Sequence, residues 1–112
     1  MSHRKGKVFV SGVFAGEIQQ IEDEYIFAYS PEYLSLPSRP AVSLTLPKQN
    51  EKYISKTLFP FFDGLIPEGW LLNLAQEKWK IPSHDRMGLL LHACGDCIGA
   101  VHVIDATDAG EP

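Results

Sequence analysis

The sequence predicts an α+β domain: a small antiparallel β-sheet, or a partly closed barrel, with a helical pair inserted before the last strand. Three observations carry this reading. The first half alternates apolar and polar residues between glycine and proline punctuation. From residue 58 the period lengthens to that of helices. At Ile98 an apolar strand-like run returns.

Taken in order, Lys7-Val8-Phe9-Val10 and Val13-Phe14-Ala15-Gly16-Glu17-Ile18 flank Ser11-Gly12, which reads as a hairpin. Asp23 and Glu24 supply turn chemistry before Tyr25–Tyr29, where Tyr25, Phe27 and Tyr29 share one face and Ile26 and Ala28 the other. Ser30-Pro31 ends that strand, because proline donates nothing to a ladder. With Pro31, Pro37 and Pro40, residues 31–40 read as a turn-rich crossover. Val42, Leu44 and Leu46 alternate with Ser43 and Thr45, which predicts a half-buried strand closed by Pro47 and followed by a polar loop over 48–52.

The apolar stretch Leu58–Pro67 is broken by Pro60, Gly64 and Pro67, and its phenylalanines read as core. Pro67 suits the first turn of a helix, where its missing N–H costs nothing, and Glu68 suits the positive end of the helix dipole. That helix is expected to run to Trp79 or Lys80, stopped by Ile81-Pro82. Ser83 or Asp85 caps a second helix through Met87, Leu90, Leu91 and Cys94, with Gly95 just past its end. Ile98–Ile104 is the last strand; residues 1–106 form the domain and 107–112 a disordered acidic tail.

At 112 residues and 45% hydrophobic content, the chain builds one core without staples. Its net charge of −4 argues against a nucleic-acid reader, whose affinity comes from a concentrated basic face. The one basic cluster, Arg4, Lys5 and Lys7, sits at a terminus expected to fray. No apolar run approaches the ~20 residues that span a bilayer, and no h-region follows the N-terminus, so a cytoplasmic location is the expectation.

Cys94-Gly95-Asp96-Cys97 has the spacing of half a zinc site or of a redox pair, with His92 and His102 nearby in sequence. A structural zinc site needs further ligands that the sequence does not pattern, and a redox pair belongs at the start of a helix rather than its end. Buried small thiols are the simpler reading; a small metal or redox protein on Cys94 and Cys97 is the rival. Gly95–Gly99 lacks the Lys-Ser/Thr pair of a P-loop and precedes a strand. Asp63 and Glu68 are explained by capping and solvation more simply than as a catalytic pair. No catalytic residue, cofactor or metal ligand is assigned. Trp70 stands apart: it follows Pro67-Glu68-Gly69 at a helix start, where an indole offers large contact area at low entropic cost.

The run Phe59-Pro60-Phe61-Phe62-Asp63-Gly64-Leu65-Ile66-Pro67-Glu68-Gly69, followed by Gly95-Asp96-Cys97-Ile98-Gly99-Ala100, resembles the N-terminal subdomain of HipA-type toxins. The likeness covers nearly the whole chain, including the opening hairpin with Gly12 and Gly16. In that family the subdomain packs against a kinase body that phosphorylates an aminoacyl-tRNA synthetase and arrests growth. The family's catalytic and ATP-binding residues belong to that body, so the resemblance assigns none here.

The chain stops where that body would begin, an arrangement similar to the split HipBST systems. There the subdomain is a separate antitoxin (HipS), the kinase is HipT, and HipB is the DNA-binding partner. The resemblance therefore implies an antitoxin subunit that binds a HipT-like serine/threonine kinase and restrains it, in a larger complex with a HipB-like protein. It implies no direct nucleic-acid or membrane contact. The implied partner-binding residues are Phe61, Asp63, Leu65, Ile66, Pro67, Glu68, Gly69 and Trp70. At Trp70 HipA-like sequences more often carry a polar or basic residue, which marks a specialised anchor. The alternative implication is the structural subdomain of a longer HipA-type kinase.

Overall fold

A computed structural model describes residues 3–66, 85–93 and 100–106. Among these, β1 (His3–Val10), β2 (Val13–Ile21), β3 (Glu24–Tyr29), β4 (Tyr53–Ser55) and β5 (Val101–Asp105) form one open sheet. Their order is β4-β3-β2-β1-β5, and every neighbouring pair is antiparallel. Three short helices accompany them: α1 (Pro31–Leu34), α2 (Pro60–Asp63) and α3 (Arg86–Ala93). The α+β expectation holds, and of its two forms the open sheet is the one adopted.

The β1–β2 hairpin closes on Ser11 (φ 49°) and Gly12 (φ 83°). Positive φ at both central positions is the turn whose twist matches the flanking strands, and glycine carries it without penalty. β1 begins at His3, earlier than the frayed terminus expected from its charges, because Arg4 is tied down from both sides. Its Nε and Nη2 donate to Gln20 Oε1 at 3.0 and 2.5 Å, and its Nη1 and Nη2 to the Asp85 carboxylate at 3.0 and 2.7 Å. A register shift between Val8 and Phe9 puts a bulge into β2 at Ala15.

The inner face of the sheet carries Val8, Val10, Ile18, Phe27, Tyr29 and Val103, all buried. The expected split of β3 is realised, with Phe27 and Tyr29 on the core side. Phe27 meets the rings of Tyr29 at 4.9 Å, Phe62 at 5.4 Å and Tyr53 at 6.5 Å. Met87, Leu90 and Leu91 bring α3 into the same core.

Residues 42–46 do not form the expected strand. Val42 and Leu46 are buried, but Leu44 between them is 99% exposed, so the three do not share a face. Ser43 is the reason: its hydroxyl accepts the Thr45 N–H at 3.2 Å, and its carbonyl accepts the Leu46 N–H at 3.0 Å. The segment therefore turns, as serine side chains that compete for backbone donors make it do. The fifth strand is instead β4, pairing Ile54 with Ile26. Within the proline-rich crossover Ser30 caps a helical turn, its side chain accepting the Glu32 N–H, with Pro31 in the first turn. The last strand begins at Val101, and residues 98–99 lie outside the described residues, as do the expected Pro67–Lys80 helix, Gly95 and the 107–112 tail. Asp85 fulfils its capping role on α3, accepting the Gly88 N–H at 3.2 Å.

Tyr29 fixes the 42–46 turn to the sheet. Its hydroxyl donates to the Leu46 carbonyl and accepts the Val42 N–H at 2.8 Å. Burial raises the Tyr29 phenol above its ordinary value of 10.0, and burial moves Tyr33 and Tyr53 the same way. The folded chain thus holds the phenol proton more tightly than the unfolded one. The resulting stability is complete below the ordinary tyrosine value and is lost as pH rises through the raised folded value. Thermal melts should show stability falling above a pH of about 10. Tyr29→Phe should cost about 1–3 kcal/mol at neutral pH, by leaving buried partners unpaired, and should flatten that alkaline fall. An unchanged alkaline slope in the variant would contradict this account.

Candidate functional site

The apolar run from Leu58 onward forms the rim of the sheet beside β3 and β4. Pro60 starts α2, and the short helix ends at Gly64 in ordinary right-handed backbone (φ −70°). Its register turns Phe59 and Phe62 into the core, with Phe62 fully buried and ringed by Phe27, Phe59 and Phe61. What remains outward is Pro60 and Gly64, with Phe61, Asp63 and Leu65 half-buried.

Asp63 accepts from Arg86 Nε at 2.6 Å, which joins α2 to the first turn of α3. The Asp63 and Arg86 side chains keep 44% and 34% of their surface, so the pair adds little to stability and mainly fixes direction. The neighbouring Asp85 reaches the opposite way, to the Arg4 guanidinium of β1, as a two-bond pair. That hydrogen bond holds the Arg4 proton more firmly than usual. The cap and first residue of α3 thus clasp the sheet and α2 at once.

Between them opens a cleft of about 410 Å³, lined by Tyr25, Lys56, Thr57, Leu58, Pro60, Asp63 and Arg86. Leu58 is its buried floor, and Lys56 and Thr57 are exposed at its mouth. The arrangement offers an aromatic-backed rim with two cations, a carboxylate and hydroxyls, suited to contact with another protein surface.

Of the residues expected to bind a partner, Asp63 lines this cleft, and Phe61 and Leu65 are half-buried against the core. Ile66 is only 4% exposed and packs into the domain's own core. Pro67, Glu68, Gly69 and Trp70 lie outside the described residues, as do Trp79, Cys94 and Cys97. Among the described residues, no group of three or more His, Cys, Asp and Glu side chains gathers to hold a metal ion. Sequence reasoning missed Arg86, Tyr25 and Lys56. The available signal was Asp85-Arg86, opposite charges at a helix start with opposite charges at Arg4 and Asp63 to receive them.

The open antiparallel sheet with its short helices defines a small α+β module. The chain belongs to the HipA N-terminal domain family, whose model matches residues 6–104. An uncharacterized protein of Haemophilus influenzae is 35% identical over 100 residues, covering 89% of this chain and 91% of that one. A Sinorhizobium fredii protein named "Putative kinase Y4mE" is 33% identical over 106 residues, 93% of this chain but 25% of its own length. Among solved structures, the N-terminal domain of HipA toxin superposes with a TM-score of 0.69 at 32% identity, covering 91% of this chain and 92% of that domain.

Gly88 packs closely against the Asp85 clasp. A Cβ on Gly88 would collide with Asp85 Oδ2 and come within 3.2 Å of Arg4 Nη1. Gly88→Ala should therefore cost about 1–2 kcal/mol through a disturbed cap and ion pair. Gly64→Ala meets only Pro60 O at 3.4 Å and Phe61 O at 3.5 Å, and should be neutral or stabilising by up to about 1 kcal/mol. Chemical denaturation separates the two; equal losses would refute the clasp.

Proposed function

We propose that this chain is a docking subunit of a HipA-type kinase: a HipS-like antitoxin that binds a HipT-like serine/threonine kinase and restrains it. One observation carries the reading. The same module makes up nearly all of the small Haemophilus influenzae relative and only a quarter of the kinase-named Sinorhizobium fredii relative. A module found both fused to and apart from a larger body has a surface suited to that body. Phosphotransfer, in this reading, belongs to the partner. A HipB-like DNA-binding protein completes the complex, and this chain touches no nucleic acid or membrane itself.

The docking surface in this reading is the rim of Phe61, Asp63 and Leu65, continued in sequence by Pro67, Glu68, Gly69 and Trp70. Inhibition is steric, with Trp70 and the residues around it reaching over the kinase cleft. The Sinorhizobium alignment also supports a second reading, in which the domain is a structural part of a longer HipA-type kinase. Supplying the chain in trans to a kinase body separates the two, since an antitoxin restrains the kinase and a structural part supports it.

Co-expression with a HipT-like kinase should rescue growth. Trp70→Ala should abolish that rescue while its melting temperature barely moves, in keeping with the ~2–4 kcal/mol of a central interface indole. Trp79→Ala should chiefly destabilise the fold. Failure of the parent chain to rescue growth would overturn the antitoxin role. Full rescue by a folded Trp70→Ala variant would move inhibition to Phe61, Asp63 and Leu65.

A further inference from the structure

Where β2 and β3 meet the start of α1, a second cleft of about 260 Å³ opens. Strand periodicity alone would set Phe14 and Glu17 on opposite faces, because an odd step separates them. The β2 bulge reverses this. Val8 pairs with Gly16 while Phe9 pairs with Phe14, which leaves Ala15 as the extra residue. Ala15 turns inward, fully buried, and its carbonyl accepts the Ser30 N–H at 2.8 Å. Phe14, 36% exposed, and Glu17 then line the same cleft. Gly16 lets β3 close up beside them, since a Cβ there would collide with the Ala28 carbonyl.

The facing wall is built by the cap of α1. Ser30 Oγ donates to Glu32 Oε1 at 2.7 Å and accepts the Glu32 N–H at 3.2 Å. The hydroxyl's bond holds the Glu32 carboxyl below its ordinary range, so it is charged at neutral pH. Ala28 and Pro31 complete an apolar lining. Lys7 stands opposite Glu17 in the register, yet among the described residues no ion pair engages Glu17.

We propose that this cleft receives one arginine or lysine side chain from a basic segment of a protein partner. The cationic head sits between the Glu17 and Glu32 carboxylates, and its methylene stem lies against Phe14, Ala28 and Pro31. The chemistry matches part for part: carboxylates for the charge, and an aromatic ring with apolar walls for the stem. Two carboxylates and no cation among the described lining residues repel an anionic ligand. The cleft shares no lining residue with the one beside α2, so this inference stands or falls independently of kinase docking.

The test is an amide NMR titration of the full chain with the peptide acetyl-Gly-Arg-Gly-Arg-Gly-amide. Saturable shifts are expected at Phe14, Gly16, Ala28 and Glu32. Glu17→Gln and Glu32→Gln should each weaken binding about two- to fivefold, with the rest of the spectrum unchanged. The same peptide carrying neutral citrulline for arginine should not bind. Absence of saturable shifts, shifts centred on Pro60 and Asp63, or equal binding of the citrulline peptide would overturn the proposal.

Discussion

Phe27 sits fully buried at the centre of β3, and its ring touches Tyr29 in the same strand, Tyr53 of β4 and Phe62 of α2. Tyr29 extends the row to Tyr33 of α1, stacked at 6.1 Å, and through its hydroxyl to the 42–46 turn. Segments distant in sequence are thereby indexed to one strand. Aromatic pairs of this kind contribute about 0.5–1.5 kcal/mol beyond their buried area, and removing a ring from such a core costs about 3–5 kcal/mol. Because α2 reaches the sheet through Phe62, the position of the rim around Asp63 depends on the same contact.

The ion pairs act differently. Arg4–Asp85 and Asp63–Arg86 are both partly open to water, where such pairs contribute little net free energy. Their value is geometric. Asp85 and Arg86 are adjacent, and their opposite charges fix the start of α3 between β1 and α2. The rim is thus set by the aromatic core from beneath and by this clasp from the side.

Much of the fold was legible because it is written in short-range patterns. The Ser11-Gly12 hairpin, the inward row of Tyr25, Phe27 and Tyr29, and the Asp85 cap each follow from neighbours in sequence. The misread segments are those where a side chain competes with the backbone pattern. Val42, Leu44 and Leu46 alternate as a strand should, but the Ser43 hydroxyl turns the chain and leaves Leu44 in water. Ser30-Pro31 was legible as the end of a strand and also begins α1. The bulge at Ala15 is set by pairing with β1 and has no local signal beyond Gly16. Of the expected partner-binding residues, Phe61, Asp63 and Leu65 keep part of their surface, whereas Ile66 is drawn into the core. Arg86 was legible only as half of the Asp85-Arg86 pair at a helix start, since its partner lies 23 positions away and no spacing rule links them.

The proposed docking function makes one central claim, that the edge formed by α2 is where this module meets a kinase body. Hydrogen exchange on the full chain, free and mixed with a purified HipT-like kinase body, tests that claim most directly. The account predicts added protection concentrated in residues 58–66, with the outer-face strand amides of Phe14 and Ala28 unchanged. Absence of a complex, or protection confined to the outer face of the sheet, would contradict it.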